Sequence, residues 1–234
     1  YLVVYRAISI PVHWFFLITG FQWLDTWLRG YQLNPYLTGL CFFGAFSVIS
    51  SIIDLPFNLY HDFVLEERYG FNRKTLKIFL TDMLKGTALG AILGGIIIFL
   101  ILWLMNMAGA FWWLFAVVMV LLFQVLMLWL VPVVILPLFN KLTPLEGDFR
   151  TDIQDLAARA EFPATEILTM DGSKRSGHAN AFFTGIGKNK RIVFYDTLLD
   201  QIGQKELLGV LAHEMGHYKK KHINYLRKTN PALW

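Results

Sequence analysis

The sequence predicts a mainly α protein, in which a set of membrane-spanning helices is followed by a small α+β domain. Three observations carry this. Of the 234 residues, 56% are hydrophobic, 16% aromatic and only 16% charged, whereas charged residues make up roughly a quarter of a soluble domain. The apolar residues are gathered into long runs that contain no charge. Beyond residue 141 the texture changes to the mixed charged and apolar pattern of a water-facing unit. This places the division between residues 1–140 and residues 141–234.

The spans come first. Residues 36–53, 88–105 and 111–136 contain no Asp, Glu, Lys or Arg, and each is long enough to cross a hydrocarbon core of about 30 Å. Residues 7–24 form a fourth candidate, interrupted by Pro11 and His13, so about four spans are expected. The intervening segment 61–87 carries Arg68, Arg73, Lys74, Lys77 and Lys85, whereas 29–36 holds only Arg29 and 106–110 holds no charge. Four spans put segment 61–87 and the C-terminal region on one side, and the positive-inside rule makes that side the cytoplasm. A bacterial inner membrane and the endoplasmic reticulum both suit this pattern.

The single Cys41 lies inside an expected span, which excludes a disulfide or a thiolate zinc knuckle within the chain. The net charge of +4 is concentrated near expected membrane boundaries. Lys219, Lys220, Lys221, Arg227 and Lys228 read as contacts to anionic lipid or as solvation of a helix end, not as a nucleic-acid site. The bilayer is therefore one partner. A transporter built on these spans has less support, because the two most apolar runs hold no charged residue to mark a path.

The C-terminal part reads as follows. Residues 149–160 repeat at helical spacing and Pro163 ends them. Strands are expected at 166–170, 181–184 and 191–195, with the turn G-I-G-K-N-K at 185–190 making a hairpin of the last two. A helix follows from Gln204 to about residue 223.

That helix carries the most informative feature, His213-Glu214-Met215-Gly216-His217. Two histidines four apart on a helix lie one turn apart on the same face, so both imidazoles can hold one zinc ion. Glu214, directly after the first ligand, can then serve as general base toward a water activated by the metal. The alternative is a pair of polar helix-face histidines with an ordinary glutamate between them.

Catalytic zinc usually has three protein ligands. The extension x-x-G-x-x-H would need Gly at 220 and His at 223, where the chain has Lys220 and Ile223. His222 lies about 140° around the helix from His217. Residues 218–234 contain no Asp or Glu, so the third ligand is expected from a carboxylate elsewhere.

Ser176, His178 and Asn180 lead into the 181–184 strand, which is the natural edge on which a peptide could be added as a further strand. Asn180 could hydrogen-bond a substrate carbonyl. The competing reading is that these residues satisfy local backbone.

Four stretches together resemble the type I CAAX prenyl proteases, integral-membrane zinc metalloendopeptidases, and their bacterial relatives. They are L-P-F-N-L-Y-H-D-F-V-L-E-E-R-Y-G-F-N at 55–72, P-L-F-N-K-L-T-P-L at 137–145, S-G-H-A-N-A-F-F-T-G at 176–185, and the motif at 213–217. K-N-K-R-I-V at 188–193 and D-T-L-L at 196–199 extend the match. The resemblance implies a zincin-like catalytic domain, zinc on His213 and His217, Glu214 as base, and a substrate-binding role for Asn180-Ala181 beside His178. It implies a peptide or protein substrate, membrane-associated or prenylated. In that family the third ligand is a glutamate well downstream, so the chain is expected to be a portion of a longer protein. A catalytically silent membrane protein is the alternative.

Overall fold

The computed structural model describes residues 10, 11, 14, 19–186 and 189–219. Its chain divides into two compact units, Tyr1–Val125 and Leu126–Trp234.

In the first unit, helix α1 spans Phe21–Arg29. Helix α2 begins at Pro35, with Asn34 as its cap: the Asn34 Oδ1 accepts the Leu37 N–H at 2.9 Å, and proline at the first position costs no backbone bond. From Pro35–Tyr60 it runs on through a π turn, His61–Leu65, to Arg68. Helix α3, Leu76–Met107, is capped by Thr75, whose Oγ1 accepts the Ile78 N–H at 3.3 Å.

Three helices among the described residues are long and apolar enough to cross a membrane: Pro35–Arg68, Leu76–Met107 and Gly109–Phe139. They match the expected spans at 36–53, 88–105 and 111–136. Half of the fourth candidate, 7–24, lies outside the described residues. Segment 61–87 is not the loop that its charges suggested. Residues 61–68 and 76–87 are helical, leaving only 69–75 between them. Charge ends a hydrocarbon crossing but not a helix, which simply continues into water. Pro56 lies inside α2 and Pro132 inside the third long helix, each with a π turn at or shortly after it, the kind of local adjustment that relieves a missing backbone donor.

Helices α2 and α3 pack antiparallel. The Asn106 Nδ2 donates to the Tyr36 hydroxyl at 2.9 Å, joining the end of α3 to the start of α2. A turn below, a Cβ on Gly39 would lie 2.5 Å from a Leu102 methyl, so glycine permits this close approach. At the opposite end, residues 69–75 are fixed by an Asp62–Lys74 ion pair and by the Glu66 carbonyl, which accepts from Phe71 at 2.9 Å and Asn72 at 3.2 Å.

Helix α4, Trp112–Leu130, runs past the division between the units and continues to Phe139. The second unit then builds a four-stranded sheet from β1 Leu142–Pro144, β2 Ala164–Met170, β3 Ala181–Ile186 and β4 Asn189–Tyr195, in the order β1-β2-β4-β3. β2 and β4 are parallel, while the outer pairs are antiparallel. Helix α5, Asp148–Arg159, buries Phe149, Ile153 and Ala157. Short helix α6, Asp196–Gln201, follows β4, and helix α7, Gln204–Lys219, buries Leu207, Leu211 and Met215. Both long helices thus present residues at intervals of four to Ile167, Ile192 and Phe194 of the sheet, forming one core.

Helix α5 ends where Glu161 adopts φ +55°, with Phe162 N–H bonded to the Ala157 carbonyl at 2.9 Å. This is a Schellman stop, which feeds Phe162 into the core. The expected strands and helices at 149–160, 166–170, 181–184, 191–195 and from Gln204 are all present. β1 and α6 were not expected: β1 is three residues long and ends in proline, and α6 has little more than one turn. The expected end of α7 near residue 223, together with His222 and most of the basic cluster, lies outside the described residues.

Candidate metal centre and peptide edge

Helix α7 is anchored on one side by Leu207, Leu211 and Met215, all buried. With 3.6 residues per turn, His213 and His217 emerge roughly on the other side, and both are exposed, as is Glu214. The core side therefore sets the rotation of the helix, and that rotation determines where the imidazoles point. Their Nε2 atoms lie 2.9 Å apart, with ring planes at 87°.

This pair fits a metal ion. Zinc–imidazole bonds of about 2.0–2.1 Å at a tetrahedral angle put two ligand nitrogens about 3.3 Å apart. Opening the pair by a few tenths of an ångström satisfies that. Among the described residues no group of three His, Cys, Asp or Glu side chains gathers at one point, so the described residues supply two donors here.

β3 lies at an edge of the sheet among the described residues. The Tyr195 N–H donates to the Asn180 carbonyl at 2.9 Å, and Phe182 and Thr184 pair directly with Val193 and Arg191. In an antiparallel ladder hydrogen-bonded pairs alternate, so the N–H and C=O groups of Ala181, Phe183 and Gly185 face away from β4. The Ala181 N–H is taken by the Asn180 Oδ1 at 2.9 Å. Asn180 therefore does satisfy local backbone, closing the first position of the edge and leaving Phe183 and Gly185 beyond it.

His178 is exposed, and its backbone is fixed from both directions. Its N–H donates to the Ser176 Oγ at 3.2 Å, while its carbonyl accepts from the Thr197 Oγ1 at 2.8 Å. The Gln201 Nε2 donates to the preceding Gly177 carbonyl at 3.1 Å. Asp196 holds the Ser173 N–H at 2.8 Å and also its hydroxyl. Arg175 donates to the Asn140 Oδ1 at 2.9 Å and to the Phe139 carbonyl at 2.6 Å, the last turn of the apolar helix. These supporting residues were missed from the sequence. Thr197, Asp196 and Arg175 act across sequence distances of 19 to 36 residues, with no local spacing to reveal them.

Long apolar helices followed by an H-E-x-x-H helix packed on a small mixed sheet are the features by which membrane metallopeptidases are recognised as a class. Two family models match the chain in succession: the CAAX prenyl protease N-terminal region, described as five membrane helices, over residues 3–141, and peptidase family M48 over residues 145–229. CAAX prenyl protease 1 of Saccharomyces cerevisiae is 41% identical over 198 residues, covering 84% of this chain and 44% of that protein. The CAAX prenyl protease 1 homolog of Arabidopsis thaliana is 43% identical over 194 residues, covering 82% and 46%. The crystal structure of S. mikatae Ste24p superposes with a TM-score of 0.76 at 42% identity, over 83% of this chain and 46% of that one. The chain belongs to the M48 peptidases, in the type I CAAX prenyl protease family. It spans about half the length of the curated relatives it matches.

Proposed function

We propose that the protein containing this chain is a zinc metalloendopeptidase of the membrane, and that His213, His217 and Glu214 are its metal ligands and general base. The observation that carries this is the pair of imidazole nitrogens 2.9 Å apart on α7, with Glu214 exposed next to the first of them. Zinc, when bound, supplies Lewis acidity that activates water and polarises the scissile carbonyl. His213 and His217 would hold it, their direction set by the buried face of α7. Glu214 takes a proton from the attacking water and returns it to the leaving amine. No serine or cysteine nucleophile is required.

The outward backbone groups of Phe183 and Gly185 suit an extended peptide added beside β3, and Asn180, Ala181 and His178 stand at the entry to that edge. The names of the relatives point to a CAAX-type substrate, so peptide segments of membrane-associated or prenylated proteins are the proposed class. The basic residues 68–85 support a cytoplasmic catalytic side, and the proposed boundary between membrane helices and peptidase domain stays near residue 140. A second reading, a catalytically silent membrane protein, is favoured by one observation: the described residues offer two metal donors and not three. Peptidase assay of Glu214→Gln beside the parent protein separates the two. Activity in the parent and none in the variant supports the first reading, and equal activity in both refutes it.

A further inference from the structure

The first unit distributes its tryptophans unevenly. Five of the eight in the sequence, Trp23, Trp27, Trp103, Trp112 and Trp113, stand at one end of its helices. That they share a level follows from contacts and connectivity. The Asn106–Tyr36 hydrogen bond joins the end of α3 to the start of α2, the turn Gly109–Phe111 leads directly into Trp112, and Tyr31 follows α1 a few residues before Pro35. On α1 the indoles of Trp23 and Trp27 stack with centroids 6.2 Å apart and planes within 5°, and Tyr31 packs edge-on to Trp27 at 5.2 Å. Trp23, Trp27, Tyr31, Trp103 and Trp113 are each between 43% and 62% exposed.

The other end is different in kind. It carries Arg68, Arg73, Lys74, Lys77 and Lys85 interspersed with Asp54, Asp62, Glu66, Glu67 and Asp82, whereas among the described residues the tryptophan end holds only Asp25 and Arg29, paired at 2.7 Å. The spacing between the two ends matches a bilayer. From Lys85 to Trp103 along α3 there are eighteen steps, about 27 Å at 1.5 Å per residue, and no charge lies between them. From Tyr36 to Asp54 along α2 the distance is again about 27 Å. Both approach the thickness of the hydrocarbon core, about 30 Å. Indoles prefer the layer just outside that core, where the ring stays in apolar surroundings and the N–H meets glycerol and headgroup oxygens.

We infer that Trp23, Trp27, Trp103 and Trp113, with Tyr31, form a belt that docks into the glycerol and headgroup layer of the phospholipid leaflet remote from residues 68–85. The inference rests on the helices crossing a membrane and is independent of peptidase activity. The test is tryptophan fluorescence of the intact protein in vesicles of phosphatidylcholine brominated either near the glycerol end or near the methyl end of the acyl chains. The emission lost in a variant carrying Trp23→Phe, Trp27→Phe, Trp103→Phe and Trp113→Phe is the belt's. It should be quenched roughly twice as strongly by bromine near the glycerol end. The single variants Trp103→Phe and Trp113→Phe supply the same difference should the combined one fold poorly. Stronger quenching from the chain ends overturns the belt, because the rings would then lie in the hydrocarbon. Quenching by neither lipid overturns it too, because the rings would then face protein or water.

Discussion

Thr197 is buried and donates from its Oγ1 to the carbonyl oxygen of His178, 2.8 Å away. Through this bond the start of α6 holds the strand-entry segment 178–180 at one height. Thr197→Val keeps the shape and removes the donor, leaving a carbonyl short of its partner. Stability should fall by about 1–3 kcal/mol, visible as a lower thermal unfolding midpoint. If peptide is held beside β3, KM should rise more than kcat falls. An unchanged midpoint would show that the His178 carbonyl finds another donor.

Arg175 reaches further, to Asn140 and to the Phe139 carbonyl. A guanidinium can serve both acceptors at once, and an ammonium cannot match that fork. Arg175→Ala should therefore lower stability by about 1.5–3 kcal/mol, and Arg175→Lys should restore only part of it. Thermal unfolding in detergent measures both. Full restoration by lysine would mean that charge alone matters at this position.

Met215 sits inside the metal motif yet faces the core, with no exposed surface. Met215→Ala should cost about 2–5 kcal/mol and loosen the rotation of α7 that aims both imidazoles. Metal affinity and stability should therefore fall together. Retained stability would show that the sheet does not set the helix.

The outward N–H of Phe183 provides a separate test. Phe183→Pro removes that donor without breaking the ladder to β4, since edge positions facing away from the sheet tolerate proline. Phe183→Ala removes only the ring, which packs on Phe162 at 5.1 Å. KM for a peptide substrate should rise further in the proline variant than in the alanine one. Equal KM values would remove β3 as the substrate edge.

Much of this was legible in the sequence, for a physical reason. Long uncharged runs have one stable home, so three helices were readable from composition, and 3.6-residue periodicity gave α5 and α7. The His213–His217 pair was readable because four residues is nearly one helical turn. What the sequence concealed depends on distant partners. Residues 61–68 stayed helical despite their charge because a helix can leave a membrane without ending. The Asn180 side chain turned to its neighbour's N–H, which residue type alone permits but does not require. Thr197, Asp196 and Arg175 act on segments 19 to 36 residues away.

The measurement that tests the account most directly pairs zinc content with peptidase activity in the detergent-purified, dialysed protein, for the parent, Glu214→Gln and His213→Ala. The account predicts stoichiometric zinc in the parent and in Glu214→Gln, hydrolysis by the parent alone, and neither zinc nor hydrolysis in His213→Ala. Zinc retained in His213→Ala, or turnover retained in Glu214→Gln, would contradict it.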